Sequence, residues 1–276
     1  MEKWDAETYH KISHIQETWA KELLSKNEWK GNEVVLDAGC GSGRVTNIIA
    51  KILNKGRIFA VDIDENMIRV SRKNYKHLKN VFFLNSDLIN VNLPEPVDIV
   101  FSNAAIHWIP NHHRLFKKFW NILKPEGKLL IQCGGKGNLG KTYGILESIR
   151  KEKEFEQYFR DWKDPWYFPS TTETNSILKT TGFREIRTEI TKKTAIFQGF
   201  EEYRLFMKTV VMKPYLSYLP SNYINSTRDL FIDSFMKEFK RNDKDFLKNE
   251  DQKEGSKRGK EQPSIDYVRL DIQAIK

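Results

Sequence analysis

Val34-Val35-Leu36-Asp37-Ala38-Gly39-Cys40-Gly41-Ser42-Gly43 reads as a short apolar strand running into a loop with glycine at every second position. A helix pattern opens just beyond it, near residues 44–47. Glycine takes positive φ without steric cost and lets a ligand lie against bare backbone. The N-terminus of the following helix presents free N–H groups and a partial positive charge, which suits a carboxylate or phosphate. A strand, a glycine loop and a helix in that order form an anion cradle.

Outward from this loop, short β-branched or aromatic segments recur at 33–38, Arg57–Asp62, Val81–Asn85, 97–102 and 127–133. Longer stretches at 45–53, 65–75 and 112–123 carry apolar residues at three- and four-residue steps. Such β-α alternation predicts a parallel sheet with helices on both faces. Val97-Asp98-Ile99-Val100-Phe101 is almost continuously apolar, as expected of a strand covered on both sides. Beyond Cys133 the pattern changes. Gly134-Gly135-Lys136-Gly137-Asn138 predicts a loop, 146–162 a charged amphipathic helix, and 184–194 and 265–275 two alternating strands of antiparallel or edge type. The expected fold is α/β: a mostly parallel seven-stranded sheet with an antiparallel edge strand, helices on both faces and a helical cap insertion.

Three regions follow from that reading: an N-terminal helical cap over 1–30, a core over 31–195 and 264–276, and a lid insertion over 196–263. The insertion is helical by pattern and carries Phe200, Tyr203, Phe206, Tyr215, Tyr218, Tyr223, Phe231 and Phe235. Its 237–263 portion is dense in both charge signs and reads as a solvated helix end and a mobile loop.

Asp62 closes the second strand nineteen positions after Gly43. An acid there accepts from the two hydroxyls of a ribose, so loop and acid together predict a nucleoside-containing cofactor. The dinucleotide pattern is G-x-G-x-x-G, whereas the glycines here fall at 39, 41 and 43, and Arg44 holds the place of the third dinucleotide glycine. Asp37 before the turn also argues against a nicotinamide cofactor, and the G-x-x-x-x-G-K-[ST] phosphate loop is absent.

Composition narrows the function classes. The chain has 276 residues, 39% hydrophobic and 12% aromatic, too rich in core-forming side chains for a disordered protein. No apolar stretch approaches the length of a spanning helix, and the Met1-Glu2-Lys3-Trp4 start lacks a secretory pattern. Two cysteines, Cys40 and Cys133, exclude a disulfide framework and an iron–sulfur site needing three clustered cysteines. A cytoplasmic setting is expected. His107, His112 and His113 lack the cysteine or carboxylate partners of a structural zinc site, so no metal is expected. The net charge of +9 is spread along the chain.

Leu36-Asp37-Ala38-Gly39-Cys40-Gly41-Ser42-Gly43 resembles the first motif of class I S-adenosylmethionine-dependent methyltransferases, which have a Rossmann-like fold. Asp62, Ser86-Asp87, Asp98-Ile99-Val100-Phe101-Ser102-Asn103 and Leu123-Lys124-Pro125-Glu126-Gly127-Lys128-Leu129 continue the resemblance in order across about half the chain. Ala104-Ala105-Ile106-His107-Trp108-Ile109 and the pattern Tyr9…Ser13…Gln16 are similar to the group of trans-aconitate and juvenile hormone acid methyltransferases.

The resemblance implies that S-adenosyl-L-methionine is the cofactor. It implies that Gly39, Gly41 and Gly43 lie against the methionyl part, with Asp37 at its ammonium and Asn103 at the same end. Asp62 then holds the ribose, Ile63 and Met67 pack the adenine, and Ser86, Asp87 and Leu88 border its amino edge. Ile63 and Met67 read equally as core residues. Gln16 and Trp108 are implied to line the acceptor pocket; each has a plain alternative, a surface helix position for Gln16 and a buried anchor for Trp108. His107 is either a general base or a lid contact. The expected reaction is methylation of a small-molecule acceptor, a carboxylate above others, because a carboxylate is already anionic at neutral pH. The fourth strand's Ser-Asn-Ala-Ala end lacks the [DN]-P-P-[YFW] signature of enzymes that methylate exocyclic amines or glutamine. No membrane, nucleic-acid or obligate protein partner is expected. An RNA-modifying enzyme, suggested by the charge, and a non-catalytic cofactor-binding protein are the alternatives.

Overall fold

The structure is a computed structural model and describes residues 3–220, 226–242 and 262–276. Along the chain lie α1 (Ala6–Ile12), α2 (His14–Leu24), β1 (Val34–Ala38), α3 (Arg44–Ile52), β2 (Arg57–Asp62), α4 (Glu65–Asn74), β3 (Val81–Asn85) and β4 (Val97–Asn103). Then come α5 (His112–Ile122), β5 (Leu123–Gly134), α6 (Gly140–Ile149), α7 (Thr171–Thr181) and β6 (Arg184–Ile196). The last are α8 (Phe200–Phe206), α9 (Lys213–Leu216), α10 (Thr227–Asn242) and β7 (Ser264–Ile275). The sheet order is β3-β2-β1-β4-β5-β7-β6. β1 to β5 pair in parallel, and β7 runs antiparallel to β5 one place in from the edge. This is the expected seven-stranded, mostly parallel α/β sheet.

All five positions of β1 are buried because both faces of the sheet are covered. Val34, Leu36 and Ala38 pack with Val100, Leu129 and Ile131 against α5 and α7. Val35 packs with Ile58, Ile99, Phe101 and Leu130 against α2, α3 and α4. Local chemistry fixes the helix ends. Asp64 caps α4 by accepting from Met67 N–H, Asn111 caps α5, and Ser170 with Glu173 forms a capping box on α7, closed by Gly182 in the left-handed region.

The second face also carries a buried polar stripe. Strand alternation puts Asp37, Asn103, Gln132, Arg269 and Asp271 on the side that α2 covers, with Asn103 opposite Gln132 and Gln132 opposite Asp271. Arg269 is 2% exposed, pairs with Glu22 of α2 at 2.7 Å and with Asp271 at 3.3 Å, and lies over the Trp19 ring.

The chain separates into two compact units. One holds Lys3–Asn138, Pro165–Lys192 and Val268–Lys276, hence nearly all of the sheet and the glycine loop. The other holds Leu139–Asp164 and Lys193–Tyr267. The second unit has its own aromatic core, in which Phe155, Tyr203, Phe206, Tyr215, Phe231 and Phe235 are fully buried. Within it Tyr215 donates to Glu147 at 3.0 Å, and Arg150 grips the same carboxylate.

Two local expectations differ from the structure. The helix expected over 146–162 is instead α6, ending at Ile149, followed by turns and a single 3-10 turn, Glu156–Phe159. Lys151-Glu152-Lys153-Glu154 offers no apolar side chain to continue a buried stripe. Residues 139–164, assigned to the core from sequence, group with the helical unit, where α6 packs on α10. Tyr223 and residues 243–261 of the charged loop lie outside the described residues.

Candidate active site

The loop after β1 is held by its neighbours. Gly39 and Cys40 both donate to the Val61 carbonyl, at 2.8 and 3.0 Å. Gly39, Gly41 and Gly43 have φ of 79°, 53° and 82°, the left-handed region in which a side chain is strained. Gly39 also sits against Ala105, with no room for a methyl group between them. Cys40 is buried, as a small packed residue.

Asp62 has a double role in this geometry. One oxygen accepts from Gly41 N–H at 2.9 Å and the other from Asp64 N–H at 2.9 Å, so the carboxylate fixes the loop. A carboxylate has about four acceptor sites, and two remain for a ligand. Burial pushes its pKa up to about 6, opposed by those backbone donors. Asp37, 2% exposed, accepts from Thr46 Oγ1 at 2.6 Å, and burial pushes its pKa up to about 7. Two buried carboxylates beside one loop are costly unless a cation answers them.

A small cleft opens here, lined by Tyr9, Ser13, Gln16, Glu17, Asp37, the loop from Gly39 to Ser42, Arg44, Val45 and Asn103. It lies at the carboxyl ends of β1 and β4, where the order of strands reverses, the usual ligand crevice of an open α/β sheet. Three buried acceptors in it lack partners: Ser13 Oγ, Gln16 Oε1 and Asn103 Oδ1. Asn103 donates through Nδ2 to the Gln16 carbonyl at 3.0 Å. A ligand bearing N–H donors, such as an aminoacyl ammonium, answers that set.

The remaining residues singled out from sequence fall into two groups. Ile63 is 73% exposed directly after Asp62, free to cover a flat ring. Met67 is 4% exposed and packs with Ala6, Val70, Trp4 and Tyr9, so it takes the core alternative. Leu88 is likewise buried in the core. Asp87 accepts from Ile89 N–H and Asn90 Nδ2, forming a turn, while Ser86 Oγ donates to the Asp87 carbonyl. Trp108 meets Trp4 and Trp166 edge to face at 5.8 and 5.6 Å, an anchor for the N-terminal segment. His107 accepts through Nδ1 from Gly134 N–H at 3.3 Å, and burial holds its pKa down at about 3. A ring so weakly basic and so engaged is a poor general base.

Sequence reasoning missed Arg44 as a cavity residue and the Arg269 network altogether. Neither leaves a pattern in one sequence, since each depends on which helix lies across the sheet. Among the described residues no group of His, Cys, Asp and Glu is placed to hold a metal ion, and no helix is long and apolar enough to cross a membrane.

Sheet order, glycine loop and strand-end acid together define a Rossmann-like methyltransferase domain. Residues 36–131 match the family described as "Methyltransferase domain". The chain is 27% identical over 243 residues to the juvenile hormone acid O-methyltransferase of Drosophila melanogaster, covering 83% of this chain and 81% of that one. It is 30% identical over 161 residues to the trans-aconitate 2-methyltransferase of Escherichia coli, covering 58% and 62%. In fold it matches Haemonchus contortus phosphoethanolamine N-methyltransferase 2, solved in complex with S-adenosyl-L-methionine, with a TM-score of 0.55 at 21% identity, covering 94% of this chain and 52% of that one.

Proposed function

We propose that the protein transfers the methyl group of S-adenosylmethionine to a carboxylate oxygen of a small-molecule acceptor. The observation that carries this reading is the cleft whose unpaired oxygens and buried Asp37 call for a cationic, donor-rich ligand, with the strand-end Asp62 tied to the same loop through Gly41 N–H. When bound, S-adenosylmethionine supplies an electrophilic methyl group together with its own leaving group. The chain's residues then have only to position and to exclude water.

In this reading Gly39, Gly41 and Gly43 admit the methionyl part and Asp62 takes the ribose hydroxyls. Ile63 lies over the adenine and Asp87 meets its amino edge. Asp37, Gln16 and Asn103 receive the ammonium, and Trp108 borders the acceptor. A carboxylate acceptor has no proton to lose, which agrees with a neutral, anchored His107. The acid named in the juvenile hormone relative and the aconitate named in the bacterial one support the acceptor class.

The test uses methyl-labelled S-adenosylmethionine and a panel of carboxylic acids. Alkali hydrolyses a methyl ester to methanol and leaves N-methyl or ribose O-methyl groups in place. Base-released labelled methanol supports the reading; label that survives alkali, or that appears only with RNA, refutes it.

A further inference from the structure

Helix α2 contributes Gln16 and Glu17 to the cleft, and Glu17 holds Arg44 there at 2.9 Å. Ala20, Leu23 and Leu24 press the same helix onto the sheet, in one apolar cluster with Val35, Ile99, Phe101 and Leu130. Apolar burial is non-directional, so these contacts hold α2 down without setting its height and rotation. Directional bonds do that at two places. Near the start of α2, the Gln16 carbonyl accepts from Asn103 Nδ2 of β4 at 3.0 Å. Six residues later, about 9 Å along the helix axis, Glu22 accepts from Arg269 Nη1 of β7 at 2.7 Å.

The second of these bonds is the costly one. Taking a guanidinium out of water carries a large desolvation penalty, and well-packed apolar side chains of similar volume hold helices at least as firmly. Arg269 is nevertheless 2% exposed, with Nη2 at 3.3 Å from Asp271 and the guanidinium 5.4 Å from the centre of the Trp19 ring on α2. Lys26, just past the end of α2, pairs with the same Asp271 at 2.8 Å. Gln132 stands opposite Asp271 in β7 and opposite Asn103 in β4, so a polar row crosses the sheet from this clamp to the cleft. Arg269 itself is not among the residues lining the cleft, so its influence on a ligand passes through α2.

We propose that Arg269 is a positioning residue for the cofactor cleft: fixed between Glu22 and Asp271, it sets the height and rotation of α2 and thereby holds Gln16 and Glu17 in place. The inference rests on the adenosyl reading of the cleft. It gives the buried charge a purpose in geometry that apolar packing of α2 does not supply.

The experiment measures calorimetric affinity for S-adenosylhomocysteine and urea stability in the native protein and three variants, each affinity taken where the protein is folded. Arg269→Met removes the clamp. Glu22→Gln loosens it from the partly exposed side and leaves Arg269 its Asp271 partner. Leu23→Ala takes apolar contact from the same helix and leaves the clamp whole. A hydrogen bond lost where α2 borders the ligand predicts roughly tenfold weaker binding by Arg269→Met and about threefold by Glu22→Gln. Leu23→Ala should lose stability and keep its affinity, a separation that a merely structural role for Arg269 does not produce. Native affinity in Arg269→Met overturns the proposal. Where that variant does not fold, native affinity in Glu22→Gln overturns it alone. A loss in Leu23→Ala as large as in the clamp variants overturns it too, since any loosening of α2 then suffices. No binding by the native protein refutes the adenosyl reading, not the clamp.

Discussion

Replacing each loop glycine by alanine separates backbone strain from steric exclusion. All three glycines have positive φ, so each alanine costs about 1–2 kcal/mol of left-handed strain. Their surroundings differ. A methyl group on Gly41 would lie 3.6 Å from the Tyr9 ring, an ordinary contact. On Gly43 it would meet Tyr75 Cδ2 at 2.9 Å and Ser71 Cβ at 3.0 Å, and the Tyr75 ring can give way. On Gly39 it would fall well inside 3.0 Å of the Ala105 methyl, on the backbone that leads from β4. Overpacking of that kind adds about 1–3 kcal/mol. Gly39→Ala should therefore destabilise the protein by about 2–5 kcal/mol and Gly41→Ala by about 1–2 kcal/mol, with Gly43→Ala between them. Urea unfolding monitored by tryptophan fluorescence gives the three values. A Gly39→Ala protein no less stable than Gly41→Ala would refute the claim that the loop is pressed against the segment that follows β4 at Ala105. Finding that order while S-adenosylhomocysteine binding survived in Gly39→Ala would refute the role of bare backbone in the site.

The pH response is expected to come from Asp37 and Asp62, whose pKa values burial raises to about 7 and about 6. A folded carboxylate with a raised pKa favours the protonated form. The unliganded protein should therefore gain stability as pH falls from 8 to 5 and lose it as pH rises through 7. A cationic cofactor favours the ionised form, so its affinity should fall roughly tenfold per pH unit below about 6 for each group that must ionise. Thr46, which donates to Asp37, and Asp64, whose charge raises the Asp62 pKa further, are the other groups bearing on this titration. Calorimetry from pH 5 to 8 checks it, and a flat profile would contradict it. Asp62→Ala leaves Gly41 N–H without its acceptor; it should cost about 1–3 kcal/mol in urea unfolding and weaken S-adenosylhomocysteine binding at least tenfold. Arg269→Met removes the buried guanidinium between Glu22 and Asp271 while Lys26 still pairs with Asp271 at 2.8 Å, and a loss of about 1–3 kcal/mol is expected in the same assay. A neutral result there would mean that the network contributes nothing to docking α2.

The strand-loop-helix stretch from Val34 was enough to identify the cradle, because glycine spacing and strand hydrophobicity are local properties. The alternation of apolar segments likewise gave the parallel sheet, and Asp62 could be placed at a strand end by counting. What the sequence could not show was competition for the same side chain. Met67 and Leu88 have the right positions for an adenine pocket, yet the core takes them, because buried apolar area is the larger gain. His107 has a catalytic residue type, but its ring is spent on the Gly134 N–H and its basicity is suppressed by burial.

The sequence alone determined the fold class and the place of the cofactor loop, since periodicity and glycine φ requirements act over a few residues. Only the tertiary structure brought Ser13, Gln16 and Arg44 to one cavity with Asp37 and Asn103, and set Arg269 beneath α2. Those groupings depend on how a helix crosses a sheet, and side chains separated by dozens of residues acquire a shared electrostatic environment only once water is driven out between them.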